Sequence, residues 1–366
     1  RPTTPAYTPP APLSTWAPAT AIDLKQLADF LGKPLDQFFR ERLDVRFPEV
    51  RDETTDDETF ANKRGLDNWI QTDALLQPVG LRLALDSSID LDQRLNAVSA
   101  QRRQAGEYPT GAFGILTGQE LTNNLTEALD IFKTRLGEYP TAIDPAPSID
   151  VILSASSDAP DCSANTDNPE QQSQPIRLTD TIGKVWKKQG GQHVRLILES
   201  SAPKNDKTFN LRIIAKHWPA HLALQVAVHG AQTHIIGPGG GITLPAIPDD
   251  EAKQHLMALL HYWQIGMSYP LLMTADIAQA TLSGLRDKKT TAIDIKQLHN
   301  IEDMQEMAAT TNFMAAANKV LKPGSAFARQ VSTAFDITQD KHFEPMLTSL
   351  YLPLFQILID LPGDTP

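Results

Sequence analysis

The segment 182–229 constrains the fold more than any other part of the chain, because strand-like and helix-like patterns follow one another there in a fixed order. Alternating apolar and polar residues predict one strand over 176–186 and a second over 209–216, and the hairpin between them carries a further strand-like run, 193–200. A helix is predicted to begin near Pro219, since proline is favoured in the first turn of a helix. The order strand, hairpin, strand, helix predicts an α/β fold.

The same segment has the spacing of metal-dependent nuclease motifs but lacks their acids. It resembles the nuclease domains of the RecB and AddB family, members of the PD-(D/E)XK superfamily, whose signatures are G-x-x-D, D-x-K and Q-x-x-x-Y. The positions that match these motifs are, in order, Gly183, Trp186, Ile214, Lys216, Gln225 and His229. Trp186 and Ile214 stand where the two acids would be. Because hard divalent cations need carboxylate ligands, the resemblance implies a degenerate nuclease fold with no catalytic residues and no metal.

The resemblance extends in both directions along the chain. Upstream, residues 24–43 (LKQLADFLGKPLDQFFRERL), 66–69 (LDNW) and 106–114 (GEYPTGAFG) resemble the RecC C-terminal domain. Downstream, residues 261–272 (HYWQIGMSYPLL) and 350–355 (LYLPLF) match the same domain in the same order. The chain is therefore identified as a member of this family, RecC being the gamma subunit of exodeoxyribonuclease V.

This resemblance, which covers residues 21–366, implies a noncatalytic part of the RecBCD helicase and nuclease complex. It implies scaffolding of RecB-like and RecD-like subunits, and guiding or splitting of DNA strands at double-stranded ends during double-strand break repair and recombination. ATP and Mg²⁺ would be used by those partner subunits, and no cofactor is expected in this chain. The expected architecture is an α/β, degenerate PD-(D/E)XK (restriction-endonuclease-like) fold with a helical arm.

The chain is predicted to divide into three parts. Residues 1–20 are dense in proline and begin with arginine rather than methionine, which predicts an extended inter-domain tether within a longer protein. Residues 21–145 are predicted to form the helical arm, and 146–366 the nuclease-like α/β core. Within the core, residues 154–175 lack large apolar side chains, so they are predicted to be a flexible insertion.

Apolar periodicity predicts the remaining elements. Thr20 or Asp23 is a candidate N-cap for the first helix, and Pro34 is expected to break it. The predicted helices cover 24–43, 67–76, 91–104, 121–136, 249–267, 301–321 and 342–358. Two further short strands are predicted over 149–153 and 233–236, and the glycines of 237–241 predict a turn rather than a phosphate-binding loop.

Composition excludes several classes of function. A single cysteine, Cys162, excludes an internal disulfide and a four-cysteine zinc or iron–sulfur site within the chain. The absence of a signal sequence and of an apolar run of about eighteen residues predicts a cytoplasmic protein without membrane contact. A net charge of −11 argues against nonspecific coating of nucleic acid, although residues 49–58 hold much of the acid in one predicted loop. Local basic surface would have to supply any DNA contact.

Two basic and aromatic groups are candidates for that contact. The first is a lysine-rich hairpin around Trp186, where lysines would hold phosphates and the indole would stack on a base. The second is an arginine pair beside Tyr108. The residues predicted to contact DNA are Lys184, Trp186, Lys187, Lys188, Arg102 and Arg103. The alternative interpretation of the hairpin is a solvated turn with one packing aromatic residue.

Three other hypotheses remain open at the level of sequence. His217 and His221 have the spacing of a zinc-chelating pair on a helix, but no acid accompanies them closely. An active nuclease would require Asp180 and Glu199 to meet at one sheet edge, with Lys204 or Lys207 nearby. A third possibility is a protein-docking scaffold that does not touch DNA, with the acidic loop 49–58 facing a basic partner.

Overall fold

The computed structural model describes residues 11–14, 16, 18, 21–46, 66–153, 175–205, 208–286, 292–320 and 334–361. Its strands are β1 (Thr141–Ala142), β2 (Ser148–Leu153), β3 (Ile176–Thr181), β4 (Val185–Lys187), β5 (His193–Leu198), β6 (Gln232–Gly237) and β7 (Gly240–Leu244). They form a five-stranded sheet in the order β1-β4-β5-β6-β7 and a two-stranded sheet of β2 and β3. Only β5 and β6 pair in parallel among these strands, so the larger sheet is mixed.

Helices make up most of the rest of the described chain. The first five are α1 (Leu24–Gly32), α2 (Pro34–Gln37), α3 (Leu66–Leu85), α4 (Leu91–Gln104) and α5 (Gly111–Glu138). Those that follow β5 are α6 (Leu211–Ala215), α7 (Trp218–Ala227), α8 (Asp249–Ser268), α9 (Ala275–Leu285), α10 (Ile301–Ala308), α11 (Thr311–Val320), α12 (Ala334–Thr338), α13 (Phe343–Met346) and α14 (Leu352–Asp360). Two π-helical segments, Phe38–Arg42 and Leu347–Tyr351, follow α2 and α13, and a 3₁₀ helix, Ile295–His299, precedes α10.

Helix α1 begins where its sequence signal predicts. The Asp23 carboxylate accepts a hydrogen bond from the Gln26 backbone N–H at 2.7 Å, and the Gln26 side chain accepts one from the Asp23 backbone N–H at 3.0 Å. This reciprocal pair is a capping box, which satisfies backbone donors that a helix start leaves free. Asp180 of β3 accepts a further bond from the Leu24 N–H at 3.0 Å and so ties the helix to the small sheet.

Helices α3, α4 and α5 cover one face of the five-stranded sheet. Successive strand residues point to opposite faces, and alternate residues of β5 point towards these helices. The sheet residues buried in this cluster are Trp186, Val194, Leu196, Leu198 and Ile236, and the helical ones include Leu75, Val79, Leu125, Leu129 and Phe132. At Gly80 of α3 an added Cβ would collide with the Leu198 side chain, so glycine allows the helix its close approach.

A second and larger core lies on the other side of the sheet. It joins Val185, Ile235 and Leu244 of the sheet to α1, α6, α7, α8, α9 and the C-terminal helices. Tyr351 is fully buried there, and its hydroxyl donates to the Leu31 carbonyl oxygen at 2.8 Å. The sheet is therefore enclosed between two helical layers, and α1 belongs to the same core as the last helices of the chain.

Two of the predicted strands were wrong in their extent or type. The run 176–186 is divided between β3 and β4, which belong to different sheets, because Lys184 adopts a left-handed backbone conformation (φ 62°) that ends the regular strand. The run 209–216 contains helix α6. A short apolar run does not distinguish a buried strand from a buried helix, and here Asn210 caps the helix by accepting from the Ile213 N–H.

Other predicted elements were confirmed, some with altered ends. Helix α4 spans the predicted residues, and α8, β5 and β6 lie within one or two residues of prediction. Helix α5 begins ten residues earlier than predicted, at Gly111 instead of 121. Helix α3 continues past 76 and through Pro78 to Leu85. The predicted turn over 237–241 is confirmed by positive φ angles at Gly239 and Gly240.

The predicted division into tether, arm and core stays a prediction. Part of the predicted tether lies against α8, where Leu13 N–H donates to the Ser268 carbonyl at 2.8 Å and the Trp16 ring lies 5.7 Å from that of Trp263. The predicted insertion, apart from Pro175, and the acidic loop 49–58 both fall outside the described residues.

Candidate functional site

A row of residues on the α7 side of the five-stranded sheet marks the candidate site. Arg195 of β5 lies in register between Val185 of β4 and Thr233 of β6. Because its neighbours on β5 point towards α3 and α5, Arg195 points towards α7. From α7, His221 reaches the same row, with its Nδ1 2.9 Å from the Thr233 hydroxyl oxygen. The row is thus polar in a position where the surrounding sheet is apolar.

Glu199, directly after β5, contacts both residues that join α6 to α7. Its Oε1 accepts from Lys216 Nζ at 2.9 Å and lies 2.7 Å from His217 Nε2. Burial raises the pKa of Glu199, but the hydrogen bond from His217, with the charge and hydrogen bond of Lys216, outweighs burial and holds the pKa below its usual value. An ionised carboxylate only accepts, so His217 Nε2 must carry the proton and donate it.

The charge states of the neighbouring groups follow from burial. Burial lowers the pKa of His217 below its ordinary value, although the Glu199 carboxylate opposes that shift, so the imidazole is neutral at neutral pH. Burial also lowers the pKa of Arg195 to about 10, which leaves the guanidinium charged. Its Nε and Nη1 are buried, and neither has a hydrogen-bond partner in the described parts of the chain. Arg195 therefore has two buried N–H donors that no described residue accepts from, and the charge of Glu199 acts on its guanidinium.

Lys184 completes the cluster from the start of β4. Its carbonyl oxygen accepts from the Leu196 N–H at 3.0 Å, so its main chain lies beside Arg195. Its side chain retains solvent contact, but partial burial, followed by the charge of Arg195, lowers its pKa. Lys187 and Lys188 lie further along the β4–β5 hairpin and are exposed. The hairpin therefore presents lysines to solvent, as the sequence predicts.

Trp186 does not occupy the exposed position that base stacking requires. Only 8% of its surface is exposed, and its ring lies edge-on to Phe132 of α5 at 6.5 Å between centroids. The strand period explains this placement, because Val185 and Trp186 point to opposite faces and both faces are covered by helices. The prediction that Trp186 stacks on a base is corrected by its burial, and the indole is a packing residue.

The arginine pair lies apart in sequence, at the end of α4. Arg102 forms an ion pair with Glu107, and Arg103 is exposed. Tyr108 interacts with Arg102 but is buried in the cluster formed with α3, α4 and α5. Arg102 already has a carboxylate partner, so Arg103 is the more available cation of the two. Whether either contacts DNA stays a prediction.

The residues matched to nuclease motifs have separate environments. Gly183 precedes the hairpin, while Ile214 and Lys216 belong to α6 and its end instead of the predicted strand. Gln225 of α7 is buried and its Nε2 donates to the Ala231 carbonyl oxygen at 2.6 Å. His229 lies beyond the end of α7, exposed, with its Nδ1 2.6 Å from Asp249. Their correspondence with nuclease motifs stays a prediction.

The zinc and active-nuclease hypotheses depend on residues that the structure separates. His217 contacts Glu199 and His221 contacts Thr233, and no group of three potential metal ligands occurs within the described residues. Asp180 lies on the two-stranded sheet, whereas Glu199 follows a strand of the five-stranded sheet. Of the two lysines considered with these acids, Lys204 pairs through its backbone with Phe209 in an isolated β-bridge. Lys207 lies outside the described residues.

Sequence reasoning missed Arg195 and one long-range contact of the site. Arg195 had a usable signal, since it is the one charged residue in the otherwise apolar strand run VRLIL. The contact between Ser200 Oγ and Asp73 of α3, at 2.5 Å, joins residues 127 apart and has no local signal. The end of β5 is therefore where α3 and the α6–α7 connection meet.

The fold and the site define an α/β protein whose mixed sheet, enclosed by helices, carries a charged cluster at the end of a central strand. The sequence model described as RecC C-terminal domain matches residues 19–286, well over half of the chain. The chain therefore belongs to the RecC C-terminal domain family. No curated protein matches the chain. The resemblance of residues 350–355 lies outside the matched range and stays a prediction.

Family membership implies a role within RecBCD, the exodeoxyribonuclease V complex, in DNA repair and recombination. The enzymatic activities of that complex lie largely in its other subunits. Among the described residues, no helix is both long and apolar enough to cross a membrane.

Proposed function

We propose that the chain is a noncatalytic RecC-like domain whose α/β core is a degenerate PD-(D/E)XK nuclease fold. Arg195 is the observation that carries the proposal. In the nuclease motifs that the sequence resembles, acids on two strands precede a helix that carries a glutamine. Here the neighbouring strands that precede α7 and its Gln225 are β4 and β5, which present Val185 and Arg195 to that helix. A guanidinium in this position repels the divalent cation that such catalysis requires.

This proposal moves the first acid position from Trp186 to Val185 and the second motif strand from 209–216 to β5. Along the chain the order is β4, β5, α6, α7 and β6. With β5 as the second strand, a succession of strand, hairpin, strand and helix is recovered, and the short helix α6 takes the place of the strand predicted over 209–216. Arg195 and Ile197 of β5, and Glu199 directly after it, would share the face turned to α7, because alternate residues share a face. Glu199 alone among them is an acid, and its carboxylate is already held by Lys216 and His217. The proposed correspondence therefore supplies no acid pair.

The role that follows is structural, within a larger assembly. The domain would scaffold RecB-like and RecD-like subunits and guide or split DNA strands, while those partners use ATP and Mg²⁺ in the cytoplasm. Lys184, Lys187 and Lys188 would contact the backbone of a separated strand, since exposed lysines on a hairpin are placed to hold phosphates. Arg102 and Arg103 form the second proposed contact.

A second candidate function is partner docking without DNA contact, and one observation favours it. Large apolar side chains are exposed at the starts of α3 and α5, although such residues are usually covered. These residues are Trp69, Ile70, Phe113, Ile115 and Leu116. Among them, Phe113 has 55% of its surface exposed. A protein partner would bury this surface.

A single experiment separates these functions from an active nuclease. The chain is incubated with a labelled forked duplex in Mg²⁺ or Mn²⁺, and strand cleavage and mobility shift are measured across a salt series. We expect intact DNA and salt-sensitive fork binding that weakens when Lys184, Lys187 and Lys188 are changed to methionine together. Metal-dependent cutting that disappears in Glu199→Gln would overturn the noncatalytic assignment. Intact DNA without binding would favour partner docking.

A further inference from the structure

We infer that Lys184, Arg195 and Lys216 form a binding site for one phosphate group of a DNA strand, at the end of β5. The inference rests on the proposed strand-guiding function and deepens it by naming the atoms that would meet the strand. It differs from the exposed lysine hairpin, because Arg195 and Lys216 lie on the sheet face turned to α7 and at the α6–α7 junction.

The first argument is the balance of charge. Lys216 contacts the carboxylate of Glu199 at 2.9 Å, and the charges of Lys184 and Arg195 also act on it. Asp73 of α3 is the other acid that acts on Lys184. Asp73 is engaged by the Ser200 hydroxyl at 2.5 Å. The cluster therefore carries an excess of positive charge inside a chain whose net charge is −11. A local cation excess of this kind attracts an anion, whereas the chain as a whole repels one.

The second argument is unused hydrogen-bonding capacity. Arg195 Nε and Nη1 are buried and have no partner among the residues that the structure describes. A buried donor without a partner is costly, so a group that accepts from it gains that free energy on binding. Lys216 has three N–H donors, one of which serves Glu199, and 55% of its side chain remains exposed. Lys216 and Lys184 are thus the solvent-exposed members of the site, and Arg195 is its buried member.

The third argument is the chemistry of the complementary ligand. A phosphate oxygen accepts several hydrogen bonds at once, and arginine and lysine are the residues that usually hold it, arginine in bidentate geometry and lysine as a point charge. Mg²⁺ is disfavoured by the same three cations. A nuclease site carries acids that bind a metal ion, whereas this site carries cations. The ligand that the cations favour is therefore a phosphate and not a metal ion. In a domain of a DNA-repair family, the strand backbone supplies that phosphate.

The test uses the whole chain with two probes. The first is a fluorescent single-stranded oligonucleotide, whose binding is followed by anisotropy across a salt series. The second is inorganic phosphate, whose effect on the thermal unfolding midpoint is compared with chloride at equal ionic strength. Lys216→Met is compared with Lys253→Met, a matched control on α8 whose lysine is 52% exposed. Glu199→Gln removes the anion that competes for the cations.

We expect Lys216→Met to weaken oligonucleotide binding about threefold to tenfold and to reduce the salt slope by about 0.7, the value for one single-strand phosphate contact. Phosphate should raise the unfolding midpoint of the wild type more than that of Lys216→Met. Glu199→Gln should bind the oligonucleotide more tightly, whereas Lys253→Met should match the wild type. The two site variants are thus expected to change oligonucleotide affinity in opposite directions, which a purely structural cluster would not do.

Other outcomes separate this inference from the function on which it rests. Oligonucleotide binding that is equal in Lys216→Met and Lys253→Met, with no difference in the phosphate response, would overturn the site and leave strand guiding intact. Weaker binding in both Lys216→Met and Glu199→Gln would also overturn it. A phosphate response that depends on Lys216 without any oligonucleotide binding would retain a phosphate site but refute strand guiding.

Discussion

Acid should destabilise this protein through His221, and the effect can be calculated from its surroundings. The imidazole is fully buried, stacks on Trp218 with 5.4 Å between ring centroids, and contacts Thr233 Oγ1 at 2.9 Å. Burial, with a smaller contribution from the charge of Arg195, lowers its pKa from 6.5 to about 3. In the unfolded chain this histidine is therefore protonated as the pH falls through about 6.5, whereas in the folded protein it is protonated only near pH 3.

The sign and size of the effect follow from this difference in pKa. A lowered folded-state pKa contributes stability that is fully present above pH 6.5 and is lost as the pH falls towards about 3. At pH 5, protonation of this histidine lowers the free energy of the unfolded state by RT ln(1 + 10^1.5). The free energy of unfolding therefore falls by about 2 kcal/mol between pH 7 and pH 5. The loss continues at about 1.4 kcal/mol for each further pH unit, down to the folded-state pKa.

Urea unfolding at pH 7 and pH 5 measures this contribution when the wild type is compared with His221→Asn. The variant loses packing at both pH values, so only the change between them is informative. We expect the wild type to lose about 2 kcal/mol more than the variant over this interval. His299→Asn, where the ring is 65% exposed, is the control and should retain the wild-type change. An equal pH dependence in wild type and His221→Asn would refute the reasoning.

Three further predictions concern packing and capping. Asp23→Ala should lower the free energy of unfolding by about 1 kcal/mol in urea titrations, because it removes the α1 capping box. Gly266→Ala should cost about 1–3 kcal/mol, because the new Cβ would lie 2.5 Å from Phe30, whereas Gly32→Ala, with nothing within 4 Å, should cost nothing. Trp186→Ala should cost about 3–5 kcal/mol as a core truncation; a variant of normal stability that binds DNA weakly would instead restore the stacking role.

Local signals predict much of the helical part of the fold. The capping box at Asp23 and the apolar spacing of α4 and α8 are written into neighbouring residues, so these helices could be placed without tertiary information. The glycine turn between β6 and β7 is a local property in the same sense, because positive φ angles favour glycine. Family membership likewise follows from ordered sequence similarity, which the match over 19–286 confirms.

The candidate site was less predictable, because its members are brought together by packing. The sequence by itself determined which charged residues flank the strands, the capping of α1 and the family of the chain. The tertiary structure alone decided that 209–216 contains a helix, that Trp186 is buried and that Arg195 lies beside Glu199, Lys216 and Lys184. The reason is physical: a strand residue is exposed or buried according to what covers its face, and distant helices provide that cover on both faces of this sheet.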